Sequence, residues 1–395
     1  MRTVRVVSAV SVLVLAAGCG GGAEPVVLDQ PTTAPEATTP AVDPPASTSD
    51  ATPQAGPSPT AEDTPTPSGP GEVAAPSIAG TVATGLRSPW GLTFLPGGAA
   101  LVSERDTARV ERIDPDGGVR AVGTVPGVSF GGEGGLLGLA VSPTFGDDRL
   151  VYAYHSATGE NRVVRMPLRS GRLGAPEVVI DGIPVSSIHN GGRVAFGPDG
   201  MLYVTTGDAS SSGLSQSPDS LAGKILRLTP DGGVPDDNPD PGSPVYSSGH
   251  RNVQGLAWDD EGNLWASEFG ANTWDELNRI RPGGNYGWPE VEGRGGPDRF
   301  VDPAVQWRTD QASPSGLAFA EGTLYMAALR GQRLWAIPVG NGRAGEPTAF
   351  FVDDLGRLRT VQQAPDGSLW LVTNNTDGRG SPGPDDDQIF ELSLG

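Results

Sequence analysis

Three histidines, His155, His189 and His250, are the only side chains of this 395-residue chain that titrate near neutral pH without help, and Cys19 is the only cysteine. One thiol excludes intrachain disulfides and zinc sites built on several thiolates, which leaves oxygen ligands, histidine or an organic cofactor for any chemistry. His189 stands out through a recurring phrase in the sequence. Aligned on that phrase, Glu133, His189, Arg251 with Asn252 and Gln254, and Arg357 with Arg359 fall one to five positions before the same register mark in four different repeats. A histidine among several arginines suits a di- or trianionic ligand gripped by bidentate guanidiniums while neutral imidazole removes a proton. An ion network bridging neighbouring structural units uses the same residue types, and spacing alone leaves both readings open. His155 ends an apolar stretch and reads as a packed or surface residue, and His250 lies beside Arg251 without the same register.

Other motifs are weaker. Gly131-Gly132-Glu133-Gly134-Gly135 could cradle an anion but lacks the Lys-Ser/Thr of a phosphate loop, so it reads as a turn. Asp236-Asp237-Asn238 and Asp385-Asp386-Asp387 lack the spaced ligands of an EF-hand and read as solvated acidic turns. No Gly-x-Ser-x-Gly elbow and no His-Glu-x-x-His occurs. The formal net charge of -20, from 27 basic and 47 acidic residues, argues against a nucleic-acid partner. Lys224 is the only lysine, a bias attributable to the codon usage of a GC-rich genome.

The phrase that aligns these residues is a short apolar stretch, a Pro/Asp/Gly turn and a second apolar stretch with a polar end. Its six copies cover 90–104, 137–155, 192–208, 254–268, 315–329 and 359–374. With Gly91, Gly138, Arg193, Gly255, Gly316 and Thr360 as marks, the separations are 47, 55, 62, 61 and 44 residues, room for four short strands per unit. Gly 58 and Pro 38 exclude long helical bundles. A ring of four-stranded units shelters edges that a linear array would expose, so the spacing predicts an all-β, six-bladed β-propeller over 77–395, in preference to a β-sandwich pair or a β-helix. In such a ring, residues just before the innermost strands meet at one end of the central channel, which makes the aligned residues a predicted site.

The N-terminus carries Arg2 and Arg5, then an apolar run from Val6 to Ala17 that suits a signal-peptide core over 1–18. Leu15-Ala16-Ala17-Gly18-Cys19 resembles a bacterial lipobox, which implies lipidation of Cys19, export, and anchorage to the outer face of the cytoplasmic membrane; ordinary cleavage with an incidental cysteine is the alternative. Residues 19–76 are rich in Pro, Thr, Ala and Ser and poor in large apolar side chains, the composition of a disordered tether, with an end-to-end distance on the order of 40 Å.

The stretches GGEGGLLGLAVSPTF (131–145), IHNGGRVAFGPDGMLYVTTGD (188–208), LAGKILRLTPDG (221–232), GHRNVQGLAW (249–258) and SEFGANTWDELNRIRPGGNYGWP (267–289), with AALRGQ (327–332) and GRLRTVQQAPDG (356–367), resemble in this order the soluble pyrroloquinoline quinone (PQQ)-dependent glucose and aldose sugar dehydrogenases, a six-bladed propeller family. The resemblance implies oxidation of aldoses at the anomeric carbon to lactones, with electrons passed to an external quinone, cytochrome or dye. It implies His189 as catalytic base, Arg251 as the group that polarises the quinone oxygen with Asn252 beside it, and Arg357, Arg359 and Arg330 as partners of the PQQ carboxylates. Arg330 stands where the family usually has lysine, and Glu133 where glutamine often contacts the cofactor side. The resemblance also implies Ca²⁺, ligated by the carbonyls of Gly270 and Ala271, and a second Ca²⁺ position at the Glu276 carboxylate and Tyr286 carbonyl. Glucose-oxidising relatives place aspartate before the histidine; Ile188 here implies loose selectivity and high Michaelis constants. A monomer is expected, because the long insertions that support dimerisation in some relatives are missing. A calcium-dependent lactonase-like hydrolase needs a carboxylate-rich metal cage at the axis, and a non-catalytic lipoprotein binding glycan or peptide needs neither cofactor nor base.

Overall fold

A computed structural model describes residues 71–395; the expected signal segment, the lipidation expected at Cys19 and the expected tether as far as residue 70 lie outside the described residues. Each of the six phrases folds into the first two strands of its own antiparallel sheet, and the six sheets form the blades of a propeller. We number the blades in chain order as 89–124, 136–183, 194–248, 253–308, 314–350 and 358–394. Blade 6 takes its outer strand from the first of the described residues: Pro76–Ala83 pairs antiparallel with Ile389–Leu394 and closes the ring. The ordered contacts begin slightly earlier, where Tyr325 Oη donates to the Ala74 carbonyl at 2.6 Å and Val73 packs on the core between blades 5 and 6. Helix is confined among the described residues to Phe145–Asp148 and a 3-10 turn over Ser212–Gln216.

The apolar positions of the strands create six separate cores, one between each pair of neighbouring blades. Period-2 alternation buries one face of each sheet against the preceding blade and the other against the following one, so both faces are apolar and no blade is stable alone. The register glycines explain how the inner strands come close enough. A Cβ at Gly138 would lie 2.3 Å from the Gly192 carbonyl oxygen, and one at Gly255 would lie 2.3 Å from that of Ser315. Two repeats carry side chains at this mark, and both reach inward. Arg193 is buried, donates from Nε to the Gln254 carbonyl at 2.7 Å and lies 4.4 Å from the Trp90 ring centroid; Thr360 donates to the Trp90 carbonyl at 2.7 Å.

The lone lysine has a structural place, and one motif reading is corrected. Lys224 is a structural residue: it is buried, and its ammonium donates to the carbonyls of Leu214, Ser215 and Ala222 at 2.8–3.0 Å, which ties down the 3-10 turn. Asp387 is fully buried rather than solvated, because it accepts hydrogen bonds from the backbone amides of Asn375 and Thr376 and the hydroxyl of Thr376.

Candidate active site at the mouth of the channel

The inner strands of a blade start, and its second strands end, at the same end of the ring. Side chains there line a cavity of about 300 Å³ that contains Glu133, His189, Arg251, Asn252, Gly270, Ala271, Arg330, Arg357 and Arg359, nine of the expected site residues. A neighbouring cavity of about 430 Å³ shares Arg330, Arg357 and Arg379 with it but holds no histidine, so the chemistry belongs to the smaller one. Glu276 and Tyr286 do not line it. Tyr286 is buried and stacks on His250 with ring centroids 4.7 Å apart, and the turn reading of Gly131–Gly135 is matched by a bridge between Gly131 and Gly134.

His189 occupies left-handed backbone, φ +59°. A non-glycine residue holds this conformation only where its surroundings over-determine it. Its amide donates to Glu133 Oε2 at 2.9 Å, its carbonyl accepts from Ala209, and its Nδ1 lies 2.8 Å from Asp208 Oδ1. A carboxylate can only accept here, so in the neutral ring Nδ1 carries the proton and Nε2 the lone pair. Asp208 is buried and also accepts from Trp288 Nε1 at 2.9 Å and the Ser210 amide at 2.9 Å. Burial pushes its carboxyl up, but the hydrogen bonds from His189, Trp288 and Ser210 outweigh that and hold it below the ordinary range. Glu133 behaves alike: burial raises it, and the His189 amide and Arg379 pull it down further.

Six guanidiniums, of Arg105, Arg251, Arg330, Arg357, Arg359 and Arg379, line the same space. Arg357 is paired with Asp377 at 2.9 Å, while Arg359 donates to Asn374 in its own blade and to Gln254 Oε1 of blade 4 at 2.9 Å, so these two also serve the inter-blade network. The Arg251 guanidinium has no carboxylate partner among the described residues; it makes one long bond to the Phe269 carbonyl at 3.4 Å and lies over Trp288. Burial lowers its pKa. Arg330 is exposed and forms no hydrogen bond or ion pair among the described residues. Two guanidiniums without anionic partners, facing one cavity beside two partly engaged ones, fit a ligand with several carboxylates.

The loop after the second strand of blade 4 is shaped by a carboxylate. Glu292 Oε1 accepts the amides of Ala271, Asn272, Thr273 and Trp274 at 2.7–3.1 Å. Gly270 and Ala271 line the cavity, and their carbonyls accept no hydrogen bond among the described residues. Free carbonyl oxygens are hard donors that fit Ca²⁺. Below the loop, Asn278 Oδ1 is buried without a partner while its amide nitrogen donates to Glu268 and Glu276. Burial, and next the nearby Glu268 carboxylate, push Glu276 up to about 8. The buried Glu276 carboxylate and the unpartnered Asn278 oxygen are the hard oxygen donors available near the second expected cation position. Among the described residues no group of three or more His, Cys, Asp or Glu could hold a metal ion, so the acidic cage of a lactonase-like site is missing there.

Sequence reasoning missed Asp208, Glu268, Trp288, Asp377, Arg379 and Glu292. The first two carried a signal, since both end a repeat phrase (VTTGD and WASE) at the site end of a second strand. There they meet the chain just before an inner strand: Glu268 accepts the Arg251 amide, as Glu104 accepts that of Arg87 and Asn375 that of Arg357.

Three comparisons bear on this site. A family model described as glucose/sorbosone dehydrogenase matches residues 86–381. The chain is 29% identical over 329 residues to the aldose sugar dehydrogenase YliI of Escherichia coli, covering 74% of this chain and 89% of that one. It is 34% identical over 251 residues to quinoprotein glucose dehydrogenase B of Acinetobacter calcoaceticus, covering 54% and 52%. The PQQ-bound aldose sugar dehydrogenase of Streptomyces coelicolor superimposes with a TM-score of 0.81 at 57% identity, covering 82% of this chain and 100% of that one.

Proposed function

The chain belongs to the glucose/sorbosone dehydrogenase family, and from that premise we propose that it is a PQQ-dependent aldose sugar dehydrogenase, oxidising the anomeric carbon of aldoses to give lactones. The observation that carries the reading is His189: its Nδ1 is committed to a buried carboxylate, which leaves Nε2 bare at a cavity ringed by guanidiniums. The arginines Arg251, Arg330, Arg357 and Arg359, with Asn252, would hold PQQ, and the carbonyls of Gly270 and Ala271 would hold a Ca²⁺ beside it. Bound there, PQQ supplies a two-electron acceptor for the hydride that leaves the anomeric carbon.

The remaining chemistry falls to the chain. His189 Nε2 takes the proton of the anomeric hydroxyl as the carbon–oxygen bond gains double-bond character. Asp208 keeps the imidazole in the required tautomer and stabilises the imidazolium that forms. Arg251, half-buried and held by one long hydrogen bond, places positive charge where negative charge develops. Electrons leave to an external quinone, cytochrome or dye, and lipidation at Cys19 would keep that exchange at the outer face of the membrane.

The test uses substrate chemistry. Enzyme supplied with PQQ and Ca²⁺ should reduce an artificial dye with free aldoses and fail with their 1-O-methyl glycosides, which have no anomeric hydroxyl. Equal rates with both would rule out oxidation at that carbon.

A further inference from the structure

We infer that Arg379 is a positioning residue for the base, holding Glu133, which in turn holds the backbone of His189. The inference rests on His189 acting as the base. Arg379 stands in the irregular segment after the second strand of blade 6, and its Nη1 donates to Glu133 Oε1 at 2.9 Å, reaching a loop that lies 246 residues away in the chain, between blades 1 and 2. The other oxygen of Glu133 accepts the His189 amide, so the carboxylate is shared between a charged clamp and the residue whose backbone is strained. Glu133 is also fixed at its own backbone, where its amide donates to the Ser187 carbonyl at 2.8 Å, two residues before His189.

The far end of the clamp is anchored as well. The Arg379 amide donates to Asp377 Oδ1 at 2.8 Å, and Asp377 Oδ2 receives the Arg357 guanidinium at 2.9 Å. A half-exposed ion pair adds little to stability. Its value here is directional, because a glutamate without Arg379 keeps only the hydrogen bond from the His189 amide and regains rotamer freedom, so that one of the three ties on His189 is loosened.

The chain has three histidines, so protein labelled with ¹⁵N-histidine gives three backbone amide resonances, and a His189→Ala variant assigns one of them. In Arg379→Gln and in Glu133→Gln the His189 resonance should move while those of His155 and His250 stay. With PQQ, Ca²⁺ and an aldose, kcat should fall about 10- to 100-fold with a smaller change in KM. Arg379→Lys should restore the resonance and most of the rate, and the double variant should be no slower than the slower single one. A His189 resonance that does not move in Arg379→Gln overturns the inference whatever happens to kcat, and so does a moved resonance with unchanged kcat. The resonance is read on protein without cofactor, so if no aldose is oxidised it decides the Arg379–Glu133–His189 link alone, and the failure belongs to the functional reading.

Discussion

The base role proposed for His189 needs one ring nitrogen bare and the other fixed, and Asp208 does the fixing at 2.8 Å from Nδ1. His189→Ala should therefore lose about 10²- to 10⁴-fold in kcat and still bind PQQ, read by steady-state dye reduction and cofactor absorbance; unchanged turnover would remove it from the base role. Ile188, 36% exposed beside the base, offers a sugar hydroxyl nothing polar. Ile188→Asp should lower KM for glucose about tenfold with little change in kcat, since a hydrogen bond to a charged group is worth roughly 1.5–3 kcal/mol. The carboxyls of Asp208 and Glu133 are held below their ordinary values of 3.8 and 4.5. A depressed carboxyl stabilises the fold in full above its unfolded value and loses that contribution as pH falls through its folded value. The urea midpoint should fall below about pH 4, and Asp208→Asn should flatten that fall; an equally steep fall in the variant would place the acid sensitivity elsewhere.

Two elements position these residues: the inner strands and the loop over 270–274. Close approach of inner strands at Gly138 leaves no room for a methyl, so Gly138→Ala should destabilise by about 1–3 kcal/mol, read as a lowered thermal midpoint. Glu292→Ala frees four amides and should weaken Ca²⁺ binding at least about tenfold by calorimetry while leaving the Asp208–His189 pair intact; unchanged affinity would show that the loop holds its shape alone. At this scale the sequence was readable where it was periodic. The repeat phrase located the first two strands of every blade, and its register brought Glu133, His189, Arg251, Arg357 and Arg359 to one cavity because equivalent positions of a ring share an axis. Asp208 and Glu268 sat in the same phrase at its other end, legible once the antiparallel return of the second strand is considered. Arg379 and Glu292 lie in irregular segments with no period to place them, and only the folded chain brings them to Glu133 and to the 270–274 amides. The structural place of Lys224 was not legible, because a buried ammonium with three carbonyl acceptors leaves no pattern in sequence.

For the whole molecule the decisive device is closure: Pro76–Ala83 supplies the outer strand of the last blade, so the two ends of the described chain share one sheet. A chain beginning at residue 71 should unfold cooperatively with wild-type activity, whereas one beginning at 84 should lose that strand and with it cooperative unfolding by circular dichroism; equal stability of the two would mean that the closure strand is dispensable. Because every core lies between blades, loosening one interface also moves the cavity they share. The most direct test of the central reading is a titration of cofactor-free protein with PQQ in the presence of Ca²⁺, followed in the same cuvette by an aldose and a dye. Saturable binding with sugar-dependent dye reduction, abolished by EDTA, is the expected result. No binding at micromolar PQQ would contradict it and leave the arginines as a structural network or a site for another anion.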